Sequence, residues 1–431
     1  MAKAKISSIK NASNTEFTYD IAIVGGLGHV GLPLGLAFAN VGLNVLLCDL
    51  DAKKAKTVSA GEMPFVEYGA DEILKRVINK NLNISLDNSD IAKAKYVILT
   101  IGTPVDEYLN PKLRTFLDLA ATLKPHLNPE QTIIVRSTVF PKTCGQLLKF
   151  LGAQKKWKIA YCPERIAQGY AVKELAELPQ IVAGLSEIAV ESAVELFKKI
   201  SPLVLRASIE EAELVKLFSN AWRYIQFAAA NQFYMISKQF GADFSRVRHL
   251  MTEGYGRAAS LPKAGFAAGP CLLKDTMQLA AFNNNHFELG YAAMTVNEGL
   301  PGFVVEELKK KYVLEVSKVG ILGMAFKGDV DDIRDSLSYK LGKILRFNGA
   351  NVSYSDEFAQ NSTFVSKEEI LATCNIVIIA APHSAYKNLS FSPFVEVVDL
   401  FGICENKNAQ AKRVSGSADL VGVESPQVPS R

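Results

Sequence analysis

The chain has no CxxC pair, no histidine set at metal-ligand spacing, no apolar run of the roughly 20 residues a bilayer span needs, and no large excess of either charge. Each lack closes off a class of protein. The six cysteines, at 48, 144, 162, 271, 374 and 404, are scattered, which argues against a disulfide scaffold and a zinc site and points to the reducing cytoplasm. No metal is expected. A formal charge of +4 over 431 residues is too small to recruit nucleic acid, and no membrane partner is expected either. The opening MAKAKISSIKNASNTE lacks the apolar core of a signal peptide and reads, over residues 1–17, as a flexible basic leader. Residues 406–431, rich in Asn, Lys, Ser, Gly and Pro, read as a mobile tail. What remains is an ordinary globular composition, 48% hydrophobic and 21% charged, too long for one core and sized for two or three domains.

Short apolar runs alternate with helical stretches over Ile21–Gly25, Val45–Asp49, Tyr96–Ile101, Thr132–Val135, Lys158–Tyr161 and Gln180–Ala183. That alternation predicts a parallel sheet with helices on both faces. Near residue 205 the pattern changes: Glu210–Phe240 and Asn285–Tyr312 read as helix with no strand between. The β-α-β pattern restarts at Val316, with strands expected over Lys318–Leu322, Asn351–Tyr354, Ile376–Ala380 and Val395–Leu400 and a helix over Ser336–Phe347. The fold class expected is therefore α/β, two Rossmann-like doubly wound domains (18–204 and 315–405) joined by a central helical domain (205–314).

Gly26-Leu27-Gly28-His29-Val30-Gly31 falls between the first strand and the first helix. The first glycine is expected to permit a tight turn, the second to let backbone approach a pyrophosphate, and the third to let helix pack on strand. Asp49 ends the second strand, where a carboxylate accepts hydrogen bonds from a ribose and repels a 2′-phosphate, so NAD is the expected cofactor. Lys53 and Lys54 soften the case against NADP, and a turn cap is the plainer reading of Asp49. Gly102-Thr103-Pro104, Arg136-Ser137-Thr138 and Cys162-Pro163-Glu164-Arg165 lie at strand C-terminal ends, where open α/β sheets bind ligands.

Gly269-Pro270-Cys271-Leu272-Leu273-Lys274-Asp275 places a thiol, an ammonium and a carboxylate within five residues. Pro270 suits the first position of a helix, which puts Cys271 in the first turn, where the dipole favours a thiolate. The plainer reading of Cys271 is a buried inert thiol. Lys216 and Asn220, four apart, share one face of the helix beginning near Glu210 and suit the stabilisation of an oxyanion, or else belong to a solvated face. Asn231 returns to that face as a further polar contact.

With GLGHVGLP at 26–33, GTP at 102–104, STV at 137–139, PERIAQG at 163–169, EEAELVKLFSNA at 210–221, GPCLLKD at 269–275 and LGMAFKGDVDDIRDS at 322–336, the chain resembles the nucleotide-sugar 6-dehydrogenases from about residue 19 to 403. This is the UDP-glucose, GDP-mannose and UDP-N-acetylmannosamine dehydrogenase group. The resemblance implies an NAD-dependent four-electron oxidation of the sugar C6 alcohol to a carboxylate through a thiohemiacetal and a thioester on Cys271. It implies Glu164 as general base, Thr138 and Asp275 orienting water or the ammonium, and Lys216 and Asn220 as oxyanion donors. Gly26, Gly28, His29, Val30, Gly31, Asp49, Thr103, Pro104, Thr138 and Arg334 are expected at the cofactor. Glu164, Arg165, Lys216, Asn220, Arg257 and Lys327 are expected at the substrate.

The second α/β domain keeps only Gly320 and Gly323 of a glycine fingerprint, but Lys327 and Arg334 suit a diphosphate. By the resemblance that domain holds the UDP part, and the sugar lies between two nucleotide domains. Pairing with Asp331 and Asp332 is the plainer reading of those two cations. One departure stands out. Gly265-Phe266-Ala267-Ala268-Gly269 has alanines where the group carries glycines, and alanine resists positive φ, so this loop is expected to turn differently. The substrate reading is split: PERIAQG is similar to enzymes of UDP-N-acetylhexosamines, Lys274-Asp275 to the UDP-glucose branch. UDP-N-acetylmannosamine or its gluco epimer is favoured, with UDP-glucose as the alternative and a two-electron hydroxyacid-type dehydrogenase or a non-catalytic sensor as more distant ones. A homodimer or higher homo-oligomer is expected through the long helix.

Overall fold

A computed structural model describes residues 17–103, 105–106 and 112–404. Pro104, the tail and all of the leader but Phe17 lie outside them. The chain divides into two compact units, one built from the chain up to Arg223 with Cys271–Tyr291, the other from Tyr224–Pro270 with Ala292 onward.

The first unit contains β1 (Tyr19–Val24), α1 (Gly31–Asn40), β2 (Val45–Cys48), α2 (Ala52–Ser59), α3 (Ala70–Val77), β3 (Leu82–Ser85), β4 (Ala94–Leu99), α4 (Leu113–Leu123), β5 (Thr132–Val135), α5 (Thr143–Leu151), β6 (Lys158–Tyr161), α6 (Ala171–Glu177), β7 (Gln180–Gly184), α7 (Glu187–Phe197) and β8 (Val204–Arg206). Its sheet runs β3-β2-β1-β4-β5-β6-β7-β8. Ile21 and Ile23 belong to the core on one face, Ala22 and Val24 to the core on the other, which is why these strands read as continuous apolar runs. The expectation of a parallel sheet is corrected at one place. β7 runs antiparallel to β6, pairing Ala160 with Gly184 and Tyr161 with Ala183, because the link through α6 leaves and re-enters at the same end of the sheet. The strands absent from the sequence reading are the two outer ones, β3 and β8. Their side chains are mostly half-buried or exposed, so neither carries an apolar run.

The long helix α8 (Ile209–Gln239) runs from the first unit into the second, followed by α9 (Phe244–Thr252), α10 (Leu272–Phe282) and α11 (Glu288–Lys309). This helical segment joins the two sheets along the chain and is shared between the two units. Near its start, buried Glu213 accepts the backbone N–H groups of Lys142 (2.6 Å) and Cys144 (3.2 Å), capping α5 and fixing the α8 turn that carries Lys216 and Asn220. Asn231 turns out to be structural. Its amide donates to Gly265 O (3.0 Å) and Asn297 Oδ1 (2.9 Å) and accepts from Gly265 N (2.9 Å), tying the loop before Cys271 to α8 and α11 within the second unit.

The second unit adds β9 (Lys318–Leu322), α12 (Leu337–Phe347), β10 (Asn351–Ser355), α13 (Lys367–Thr373), β11 (Ile376–Ile379) and β12 (Glu396–Asp399). Its sheet, β10-β9-β11-β12, is wholly parallel, and β9 has neighbours reached by opposite crossovers. The crevice outside the β9 and β11 carboxyl ends is therefore the topological switch point of this domain.

Candidate active site

The glycine loop after β1 divides its work differently from the expectation. The left-handed turn belongs to Gly25 (φ 78°), one residue before the fingerprint, while a Cβ on Gly26 would come within 2.8 Å of Ile23 O and of Leu47. Gly26 is thus a close-packing glycine. A Cβ on Gly31, the first residue of α1, would reach 2.3 Å from Gly25 O, as expected of the glycine that lets helix meet strand. Gly28 is the open one, with nothing nearer than Gly25 O at 3.4 Å. Its backbone, with that of Val30 at the N-cap of α1, offers the cradle a pyrophosphate requires. Asp49 follows β2 and accepts Leu27 N–H (2.9 Å) on Oδ2 and Asp51 N–H (3.1 Å) on Oδ1. It is a turn cap that also faces the glycine loop, and its remaining lone pairs suit ribose hydroxyls. His29 stacks on Phe65 at 4.0 Å between ring centroids and its Nδ1 lies 3.0 Å from Gln168 Nε2, linking the glycine loop to the PERIAQG segment. These residues fit NAD.

A second cluster in the same unit gathers around α10. Cys271 is its N-cap, so the expectation of a first-turn position is corrected by one residue. The Cys271 carbonyl accepts Asp275 N–H at 2.8 Å. Cys271 is exposed, whereas Cys48, Cys144, Cys162 and Cys374 are buried and Cys404 is half-buried. Burial pushes the thiols of Cys48, Cys162 and Cys404 up to about 12 and raises those of Cys144 and Cys374 as well.

One turn on, Asp275 is fully buried yet satisfied on both oxygens. Lys274 Nζ donates to Oδ1 and Asn220 Nδ2 to Oδ2, each at 2.5 Å. Lys274 also reaches Thr103 Oγ1 (3.5 Å), which donates to the Thr138 carbonyl (2.5 Å). Asn220, Asp275, Thr103 and Thr138 therefore belong to one network, and Lys274, noticed in the sequence but given no role there, is its hub. Asn220 spends an amide hydrogen on Asp275. Lys216, one turn earlier on α8, is buried, and among the described residues its ammonium has no hydrogen-bond or ion-pair partner. It is the better-placed donor to an oxyanion.

Glu164 lies after β6, buried, and both its oxygens are in use. Oε2 pairs with Arg136 (Nε 2.7 Å, Nη2 2.5 Å) and Oε1 accepts the N–H groups of Arg165 (2.8 Å) and Ile166 (3.1 Å). Arg136 is fully buried and also bonds Cys162 O and Gln180 Oε1. This geometry holds a loop and leaves the expected general base no unused oxygen. Arg165 is turned to Pro179 O at 2.5 Å. The signal for Arg136 was its strand-end position beside Thr138.

In the second unit, Arg334 forks onto Asp332 with Nε at 2.9 and 3.0 Å and Nη2 at 2.6 Å, the plainer of its two readings. Lys327 is half-buried on the loop after β9. Arg257 is exposed on a short 3-10 helix, its guanidinium 5.2 Å from the Tyr255 ring centroid. The loop before Cys271 does turn at glycines: Gly265 (φ 142°) and Gly269 (φ 96°) take the positive angles, and Ala267 and Ala268 do not.

Three family models match in order: the NAD binding domain of the UDP-glucose/GDP-mannose dehydrogenase family over residues 19–201, its central domain over 210–299 and its UDP binding domain over 320–406. A UDP-N-acetyl-D-mannosamine dehydrogenase of Methanocaldococcus jannaschii is 30% identical over 370 residues, 84% of this chain and 86% of that protein. A UDP-glucose 6-dehydrogenase of Bacillus subtilis is 29% identical over 357 residues, 79% of this chain and 76% of that protein. The solved UDP-D-ManNAc dehydrogenase of Pyrococcus horikoshii superposes with a TM-score of 0.80 at 27% identity, covering 86% of this chain and 91% of that one. With a glycine loop fit for NAD and a thiol beside a charged network, the chain belongs to the UDP-glucose/GDP-mannose dehydrogenase family, NAD-dependent oxidoreductases of nucleotide sugars.

Proposed function

We propose that this enzyme oxidises the C6 alcohol of UDP-N-acetylmannosamine, or its gluco epimer, to the uronic acid, in the cytoplasm and as a homodimer. The observation that carries the chemistry is exposed Cys271 at the N-cap position of α10, with half-buried Lys274 and buried Asp275 and Asn220 in one network a turn behind it. The glycine loop would hold NAD, and two NAD molecules in turn would each accept one hydride, the first leaving C6 as the alcohol proton passes to water. Between them, the Cys271 sulfur adds to the C6 aldehyde, forming a C–S bond while the carbonyl oxygen gains a proton. Loss of the second hydride, with the hydroxyl proton passing to water, turns that thiohemiacetal into a thioester, which water cleaves to the carboxylate and the thiol with release of a proton. Lys216 steadies the oxygen as charge develops on C6. Asp275 holds Asn220 and Lys274 in place for it, and Glu164 keeps the 164–166 turn in register through Arg136. The UDP end is assigned to the second α/β domain, where Lys327 meets the diphosphate, with Arg257 as a further contact.

The N-acetyl sugar is supported by the identity to the M. jannaschii and P. horikoshii enzymes and by PERIAQG, and the UDP-glucose alternative by Lys274–Asp275 and the B. subtilis relative. A panel of UDP-N-acetylmannosamine, UDP-N-acetylglucosamine, UDP-glucose and GDP-mannose with NAD separates them. The expected product ratio is about two NADH per sugar. Cys271→Ser is expected to lose nearly all turnover while still binding UDP-sugar. A serine variant that stays active, or no NADH with any of the four sugars, overturns the proposal.

The homodimer is supported by α8. On α8, Phe218 and Trp222 in the first unit, four residues apart, and Phe233 and Ile236 in the second, three apart, are exposed, apolar surface of the kind a second copy covers. Six cysteines with no disulfide among them suit the reducing cytoplasm.

A further inference from the structure

The second unit buries a histidine that the reaction scheme does not use. His383 follows β11 and is fully buried, with its ring 5.0 Å from that of Phe358 and 5.3 Å from that of Tyr386. Its Nδ1 accepts the backbone N–H of Asp329 at 2.9 Å, and its Nε2 lies 3.1 Å from Asp356 Oδ2. For a neutral imidazole only one arrangement satisfies both contacts, with the proton on Nε2 and the lone pair on Nδ1. Asp356, the residue after β10, accepts Met324 N–H (2.6 Å) and Ala325 N–H (2.9 Å) on the same Oδ2, and Phe358 and Ala359 N–H on Oδ1. Burial by itself would raise this carboxyl, but the hydrogen bond from His383 and those from the backbone N–H groups outweigh it and hold the group down at about 2.

Two points on one loop are thereby held. Asp356 grips the loop after β9 at its start, and His383 grips it at Asp329, whose left-handed φ of 57° is one a non-glycine residue keeps only when its surroundings fix it. Asp329 Oδ1 also accepts Ser384 N–H at 2.7 Å. There is no slack beneath the loop: a Cβ on Gly328 would lie 2.4 Å from Pro382 O, and one on Gly323 2.5 Å from the Ala381 side chain. The same loop carries Lys327. It also supports the segment that leads into Cys271, since Gly269 donates to Asp335 O (3.3 Å) and has no room for a Cβ against the Phe326 ring.

We propose that His383 and Asp356 are positioning residues that hold the Gly323–Asp335 loop in the shape in which Lys327 meets the diphosphate of a nucleoside diphosphate. Neither touches the substrate. The inference rests on the assignment of Lys327 made under Proposed function, and the experiment reads the two separately. In the full-length protein, His383→Leu removes both contacts and keeps an apolar side chain in the aromatic pocket, whereas His383→Asn keeps an acceptor where Nδ1 stands. Calorimetry with UDP is expected to show an affinity about tenfold weaker in H383L and within about threefold of the parent in H383N, with NADH affinity unchanged in both. Hydrogen exchange without ligand is expected to rise in residues 323–335 of H383L and to stay unchanged in β9 and β11. Should H383L fail to fold, Asp356→Asn is expected to give the same weakened UDP binding and the same local exchange. Unchanged UDP affinity in the folded variant, equal losses in H383L and H383N, or exchange raised throughout the unit overturns the proposal. A parent protein that does not bind UDP overturns the substrate assignment instead, and the exchange measurement still decides whether His383 holds the loop.

Discussion

At the scale of single residues, the chemistry follows from which polar groups burial has already committed. Asp275, Glu164 and Asp356 each have both oxygens in hydrogen bonds to neighbouring groups. Cys271 is exposed, and among the described residues the buried ammonium of Lys216 has no hydrogen-bond or ion-pair partner. The cysteines make this contrast measurable. Thiols pushed up to about 12 by burial stay protonated below roughly pH 11, so at pH 8 iodoacetamide is expected to label Cys271 first, with loss of activity in step with one equivalent of label. Peptide mass spectrometry checks it. Early labelling of Cys404 or Cys374 in the folded enzyme would contradict the burial argument.

Within the β1–loop–α1 element, the glycines separate packing from ligand contact. Gly31→Ala forces a Cβ to 2.3 Å from Gly25 O and within 2.8 Å of Gly26, backbone that cannot yield, so it is expected to destabilise the protein by about 1–3 kcal/mol. Gly28→Ala meets only ordinary contact and should leave the melting temperature nearly unchanged. If its backbone meets the cofactor's pyrophosphate as proposed, the added methyl should still weaken NADH by about tenfold. Thermal melts and NADH fluorescence titration distinguish the two. Equal stability losses in both variants would show that Gly28 is a packing glycine as well.

For the whole molecule, the proposed homodimer rests on the exposed apolar side chains of α8. The double variant Trp222→Glu, Ile236→Glu is expected to shift sedimentation from dimer to monomer without unfolding the chain, since both side chains already face solvent in the single chain. A dimer that survives the double variant would move the interface elsewhere.

Much of this protein could be read from local pattern. Central strands such as β1 and β9 are short apolar runs because both sheet faces are covered, the glycine loop sits between strand and helix, and the helical segment keeps one period over many residues. Those signals lie within a few neighbours of one another along the chain. The outer strands β3 and β8 escaped such reading because half-exposed residues carry no run, and the reversed β7 because strand direction is not written in composition. The site's electrostatics lay further out of reach: Arg136 meets Glu164 across 28 residues, Gln168 meets His29 across 139, and His383 meets Asp356 across 27. Residue types and spacing could nominate a thiol, an ammonium and several carboxylates. Which of them keep a lone pair or a proton to spare depends on partners that only the folded chain brings within hydrogen-bond distance, where low dielectric makes each commitment strong.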